Sequence, residues 1–309
     1  MVKIHQQLAR HFCILIFFLC CIITLHAQQA LILTQPATGP RVMVVNKTYP
    51  LLKILLPGQP VSERGIEVEF PEHVTGLNEQ SNTVEHLYLV TNGTSNKRTL
   101  PEWKTDGNTL MYETELNGNI KMTARVQLDD NAVRYSYEFV NRSTITYANL
   151  QAVTCVKLFS DFSDTLLERT FVHHANGFDL LASETPGRLT MPLQKWLPCR
   201  YLVSYSWPVV ANKIEKDDDG ITRYNKSRKA DKPFIATLSH NKKWVAATYT
   251  AETGNLWTNP ERSCQHADPA VTLQPKETKS LRLTTFIYKG DLSEVLQLVN
   301  REQANSKNN

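Results

Sequence analysis

The sequence predicts an all-β protein: a large antiparallel two-sheet sandwich, supersandwich-like in size, with one short C-terminal helix. Three observations predict it. Apolar and polar residues alternate with period two over long stretches, the pattern of strands with one buried and one wet face. Clusters of Pro, Gly, Asn and Asp interrupt those stretches at turn-like intervals. A single i, i+3, i+4, i+7 apolar pattern closes the chain. With 41% hydrophobic and 21% charged residues among 309, the composition excludes a wholly disordered, collagen-like or coiled-coil chain.

The first element is a targeting segment. Residues 1–11 carry Lys3 and Arg10 and no acid, residues 12–25 are uninterruptedly apolar, and His26-Ala27 follows. This is the order of a secretory signal peptide, and the apolar block is too short for a comfortable membrane span. Cleavage is expected after Ala27, giving a signal peptide over 1–27, one β-sandwich domain over 28–300 and a disordered tail over 301–309. A boundary near residue 110 is the alternative division. The expected localisation is secreted or periplasmic, with no membrane partner after cleavage. Without Lys3 and Arg10 the formal charge falls from +4 to +2. So mild an excess gives no reason to expect nucleic acid as a partner. Cys155, Cys199 and Cys264 survive cleavage, which allows one disulfide plus one thiol, or three thiols; the pairing stays open. The sequons at Asn46, Asn92, Asn141 and Asn225 matter only in a eukaryotic secretory route.

Strands follow in order. Residues 66–70 alternate. Ile120, Met122, Ala124, Val126 and Leu128 alternate with polar residues, Asp129-Asp130-Asn131 supplies a turn, and Val133, Tyr135, Tyr137 and Phe139 resume, which reads as a hairpin. Further strands are expected at 84–90, 150–159, 169–175, 200–207, 234–239, 244–250 and 281–288, with 240–243 as a second hairpin turn. Asp217-Asp218-Asp219-Gly220 lacks the alternating carboxylates of a calcium loop and reads as solvated. In the final helix Asp291 is the cap, Glu294 stands three residues on, and Leu292, Val295, Leu296 and Val299 share a face.

Chemistry-bearing residues concentrate in 254–269. If 264–268 is extended, Cys264, His266 and Asp268 point to one side. Asp268 can then orient His266 for acid/base work. The three can also ligate a metal, or Trp257 and Asn259 can hold a sugar by stacking and hydrogen bonding. Against these stands a plain reading, with Cys264 a core residue and His266 a satisfied histidine at a sheet edge. His173-His174 is the second candidate, one of the two facing any given pocket. The third is the interval of Trp196, Arg200, Tyr201, Tyr205 and Trp207, where aromatic rings suit sugar C–H faces and Arg200 suits a carboxylate such as that of a uronic acid. No Gly-x-Ser-x-Gly elbow, Walker loop, dinucleotide glycine fingerprint or His-Glu-x-x-His helix occurs.

The order Trp257-Thr258-Asn259-Pro260, Cys264-Gln265-His266-Ala267-Asp268-Pro269 and Leu273-Gln274-Pro275-Lys276-Glu277, followed by a strand and Gly290, resembles the C-terminal part of galactose mutarotase-like supersandwich proteins. The resemblance implies a large antiparallel sandwich with a carbohydrate-binding concave face, and two catalytic histidines for which His173 and His266 are the nearest candidates. No Glu stands in a matching final motif, so the epimerase base is not carried over.

The resulting expectation is a secreted or periplasmic carbohydrate-binding sandwich. If it acts on its ligand, His173, His266 and Asp268 are the catalytic set, and Trp196, Arg200, Tyr201, Trp257 and Asn259 the ligand-binding set. No cofactor and no metal are assigned. The alternatives are a non-catalytic structural or accessory envelope protein, in which these groups are scattered, and a metal-dependent hydrolase built on Cys264, His266 and Asp268.

Overall fold

The strands run in chain order as β1 (Ile32–Thr34), β2 (Arg41–Val45), β3 (Leu51–Leu55), β4 (Ile66–Asn78), β5 (Thr83–Leu87), β6 (Lys104–Asp106), β7 (Thr109–Leu116), β8 (Ile120–Asp129), β9 (Ala132–Asn141), β10 (Tyr147–Leu158), β11 (Thr170–His174), β12 (Gly177–Leu180), β13 (Leu202–Ser206), β14 (Ile214–Lys216), β15 (Thr222–Asn225), β16 (Phe234–Leu238), β17 (Trp244–Tyr249), β18 (Asn255–Thr258), β19 (Cys264–Gln265), β20 (Ala270–Leu273) and β21 (Thr278–Lys289), and helix α1 (Leu292–Ser306) ends the series. This computed structural model describes residues 31–34, 39–45, 50–87, 102–117, 119–183, 202–206, 214–216, 222–225, 229–258 and 263–306, and only the backbone of 202–206, 214–216 and 222–225. The leader and the strand expected over 88–90 lie outside the described residues.

Two large sheets carry the fold. An eight-stranded sheet has the order β1-β2-β3-β4-β10-β19, with β20 also on β10 and β5 on β4. A nine-stranded sheet has the order β12-β11-β16-β17-β21-β9-β8-β7-β6. The expected hairpins are there: β8 and β9 pair from Ile120↔Asn141 to Asp129↔Ala132, and β16 and β17 pair from Phe234↔Tyr249 to Leu238↔Val245. A small four-stranded sheet, β14-β15-β13-β18, was not anticipated as a separate layer. It takes the strand expected over 200–207 and pairs it in parallel with β15 and antiparallel with β18.

Period-two alternation decides which side chains lie between the sheets. Phe70 of β4 meets Tyr137 at 4.9 Å and Tyr135 at 5.3 Å across the layer. The Tyr137 and Thr154 hydroxyls hydrogen-bond at 2.6 Å, and Tyr112 donates its hydroxyl to the Phe70 carbonyl at 2.5 Å. The buried Tyr112 and Tyr137 hydroxyls thus find partners on the opposite sheet, whereas among the described residues the buried Tyr135 hydroxyl has none.

Helix α1 covers the outer side of the nine-stranded sheet. Val295 and Val299 are fully buried against Phe234, Ala236, Val245, Ala247, Tyr249 and Phe286. Each such burial is worth roughly 1.5–3 kcal/mol. The helix begins with the expected capping box: Glu294 N–H donates to Asp291 Oδ1 at 3.1 Å, and Asp291 N–H to Glu294 Oε2 at 2.9 Å. Gly290 has φ +158°, a conformation that L side chains rarely adopt, so the turn into the helix favours glycine. The helix continues to Ser306 instead of giving way to a tail at 301, because Glu302 pairs with Arg134 Nη2 at 2.6 Å and Gln303 accepts from Lys232 at 3.2 Å. Among the described residues no helix is long and apolar enough to cross a membrane.

Candidate functional site

Strand β10 organises the site, because β4 pairs along one edge and β19 and β20 along the other. Thr154 turns inward to Tyr137, so Cys155 and Lys157 turn outward. On β19, Gln265 turns inward, where its Oε1 accepts from Thr248 at 2.8 Å and its Nε2 donates to Thr237 at 2.9 Å and to the Ala246 carbonyl at 3.0 Å. Its neighbours Cys264 and His266 therefore project from the outer face. The strand covers Cys264–Gln265 only, and beyond it His266 bridges to Trp257 while Asp268 reaches back to His266. Val156↔Gln265 and Lys157↔Cys264 continue in the register that resumes at Leu150↔Val271, which sets Cys155 opposite His266 and diagonal to Cys264.

Strand β4 adds carboxylates through an irregularity. Its pairing with β10 shifts from Val153↔His73 to Cys155↔Glu69, so residues 70–72 oppose Thr154 alone. Pro71 sits in this bulge, where its missing N–H removes no ladder bond. Glu69 lies opposite Cys155 and pairs with Lys157, and Glu72 joins the same cluster. The donor atoms of Cys155, Cys264 and His266 all lie within 4.8 Å of one another, as do those of Glu69, Glu72 and Cys155.

His266 is held on three sides. It exchanges both backbone hydrogen bonds with Trp257, at 3.1 and 3.0 Å. The two rings stack at 3.6 Å and 7°. Its Nδ1 lies 3.4 Å from Asp268 Oδ1. Asp268 in turn accepts the Thr154 N–H at 3.1 Å and the Trp257 indole N–H at 2.9 Å. His266 is 1% exposed and Trp257 half-buried.

The electrostatics follow from this packing. Burial pulls the His266 pKa down, but the Cys264 sulfur and the Asp268 carboxylate outweigh it and push the imidazole up to about 10. Burial, with Glu69 and Cys264 beside it, raises the Glu72 carboxyl, although His266 opposes the shift. Its hydrogen bond with Cys264 and its own burial hold the Cys155 thiol well above the ordinary thiol range. Cys155 and Cys264 are not joined by a disulfide.

His173 belongs elsewhere. Thr170 of β11 turns inward to Thr237, so His173, three residues on, turns outward with Phe171. Its ring meets Phe178 at 4.9 Å, and Phe178 packs on Phe234 in the cluster under α1. Its Nδ1 lies 2.6 Å from Asp231. His173 and His266 thus stand on opposite outer faces, with both sheets between them, because alternation specifies a face but not which sheet the strand enters. The two histidines do not share a site. Trp257, His266 and Asp268 do. Trp196, Arg200, Tyr201 and Asn259 lie outside the described residues. A cleft of about 630 Å³, which takes in Arg125, Arg134 and Arg282 beside α1, contains none of the expected site residues.

Glu69, Glu72, Cys155 and Lys157 were not foreseen. Alternation over 150–159 placed Cys155 on a strand face, but no local signal pairs it with a segment more than a hundred residues away. A proline within an otherwise strand-like run was the available sign of the β4 bulge.

No family model matches the chain, and no curated protein matches it in sequence. Solved structures do. An α-N-acetylgalactosaminidase from Bifidobacterium bifidum, in complex with GalNAc, is similar over 90% of this chain and 39% of its own, with 9% identity and a TM-score of 0.51. A galactose mutarotase related enzyme from Lactobacillus acidophilus is similar over 85% of this chain and 99% of its own, with 10% identity and a TM-score of 0.44. The galactose 1-epimerase of Lactobacillus acidophilus NCFM is similar over 84% and 94%, with 12% identity and a TM-score of 0.43. At these identities the likeness is one of fold, and activity has to be argued from the site.

Proposed function

We propose that the chain is an exported carbohydrate-binding protein whose ligand rests on the outer face of the eight-stranded sheet, against Trp257. The observation that carries this reading is the immobilised indole. Its N–H is committed to Asp268 and one ring face is committed to His266, while the residue stays partly exposed. A rigid aromatic plate of this kind suits the C–H face of a pyranose at little entropic cost. The GalNAc complex of the structurally similar bifidobacterial enzyme supports a sugar as the ligand class.

Placement of His173 on the far face favours binding over two-histidine catalysis, so the accessory reading applies to the chemistry and the carbohydrate reading to the ligand. Titration of the protein with neutral hexoses, N-acetylhexosamines and uronic acids, followed by tryptophan fluorescence and calorimetry, tests it. Saturable binding that falls at least tenfold in Trp257→Ala is expected. Absence of binding across the panel, or equal affinity in the variant, overturns the proposal. Export is tested by expressing the full chain in a secreting host and sequencing the mature N-terminus. Gln28 is the expected first residue, and an unprocessed cytoplasmic product overturns it.

A further inference from the structure

We infer that Cys155, Cys264 and His266 form a binding site for a thiophilic divalent metal, zinc foremost, with Glu72 at the fourth position. The site does not depend on the sugar proposal. Two thiols and an imidazole are the donor set of tetrahedral zinc centres, and here the thiols come from adjacent strands β10 and β19 and the imidazole from the residue that follows β19. All three are buried, and their donor atoms lie within 4.8 Å of one another. A tetrahedral zinc, with Zn–S about 2.3 Å and Zn–N about 2.0 Å, spaces such atoms roughly 3.5–3.8 Å apart. Side-chain rotation of about an ångström closes the difference.

The surroundings fit a metal in three further ways. Asp268 accepts the Thr154 and Trp257 N–H groups and sits beside His266 Nδ1, which leaves Nε2 as the ring nitrogen for a metal. That is the carboxylate–histidine arrangement that orients a metal-bound imidazole. Asp268 is thus an orienting residue, and the third ligand is Cys155 instead of the Asp268 that the sequence spacing offered. Second, the β4 bulge brings the Glu72 carboxylate to the Cys155 sulfur. Third, two thiols and the carboxyl groups of Glu69, Glu72 and Asp268 crowd one buried patch against Lys157 and His266, and a divalent cation balances the thiolates that it binds.

The competing use of the two thiols is a disulfide. Diagonal partners on antiparallel strands hold their Cβ atoms roughly 7 Å apart, whereas a disulfide needs about 3.5–4.5 Å. The register therefore favours a metal.

The test is elemental analysis of the full chain purified under reducing, chelator-free conditions with zinc supplied, together with cobalt titration of the same protein. One zinc per chain is expected, and cobalt should give thiolate charge-transfer bands in the near ultraviolet and tetrahedral d–d bands in the visible. Cys155→Ser and Cys264→Ser should lose both signals, His266→Gln should weaken metal affinity at least tenfold, and Cys199→Ser should retain stoichiometric zinc. Near-ultraviolet circular dichroism establishes that each variant is folded. Should a cysteine variant not fold, cobalt titration of the unaltered chain decides alone. Absence of thiolate–cobalt bands, unchanged zinc in folded Cys155→Ser, or a non-reduced mass showing a Cys155–Cys264 disulfide overturns the inference.

Discussion

On the outer face of the nine-stranded sheet, Phe234, Val245, Ala247 and Phe286 meet Val295 and Val299 of α1 in a hydrocarbon layer. On the outer face of the eight-stranded sheet, Cys155, Cys264, His266, Glu69 and Asp268 are just as thoroughly removed from water. Both faces are buried, but the free energies differ in kind. Apolar burial stabilises in proportion to the area covered. A buried titratable cluster stabilises only so far as each group finds a partner, and its net contribution is often near zero. The first face is built for stability, and the second keeps reactive groups in fixed positions on the face where the ligand is proposed to lie.

Removing hydrocarbon from the first face tests that contrast most strongly. Phe234 is fully buried and packs edge-to-face on Phe178 at 6.1 Å. Phe234→Ala is expected to cost about 3–5 kcal/mol, read from the midpoint of urea unfolding. A loss below about 1 kcal/mol would show that the layer under α1 is too loose to carry the fold.

On the second face the informative comparison is between two substitutions at one position. Asp268→Ala strands the Thr154 and Trp257 N–H groups, and each buried donor left unmet costs about 1–3 kcal/mol. Asp268→Asn keeps an acceptor for one of the two N–H groups and turns an NH2 to the other, so it should recover at most about half of the loss. Equal destabilisation by the two would mean that the carboxylate charge matters more than its hydrogen bonds. Between the sheets, Tyr137→Phe removes only the bond to Thr154 and is expected to cost about 1 kcal/mol. A much larger loss would show that the link between the sheets depends on that hydroxyl pair.

What the sequence made legible follows the same division. The β8–β9 hairpin and the capping box of α1 are local patterns, in which the residues that interact lie within about ten positions of one another. The common face of Cys264, His266 and Asp268 was legible for the same reason. Cys155 joins them only because β10 and β19 become neighbours, and Glu72 only because the β4 bulge re-aims it. His173 shows the converse. Its strand was recognised, but nothing near it in sequence says that β11 enters the sheet under α1.

The smallest effect concerns how α1 is held, and acid should reveal it. The Asp291 carboxylate accepts from the Ser293 hydroxyl at 2.6 Å, the Ser293 N–H at 2.9 Å and the Glu294 N–H at 3.1 Å. These bonds, that from the Ser293 side chain first, hold its pKa below the ordinary value of 3.8. A carboxyl whose pKa is depressed by folding stabilises the folded state above its unfolded pKa, and loses that contribution as pH falls through the folded value. Hydrogen-exchange protection of residues 292–306, measured relative to the β8–β9 hairpin, should therefore drop selectively as the solution is taken below the ordinary aspartate range. Asp291→Asn keeps a capping side chain without the charge, so the acid-dependent part of that loss should vanish while protection at neutral pH declines only slightly. If the variant loses protection in acid as the parent does, the cap is not what acid releases, and the Arg134–Glu302 ion pair at the other end of the helix becomes the group to remove next.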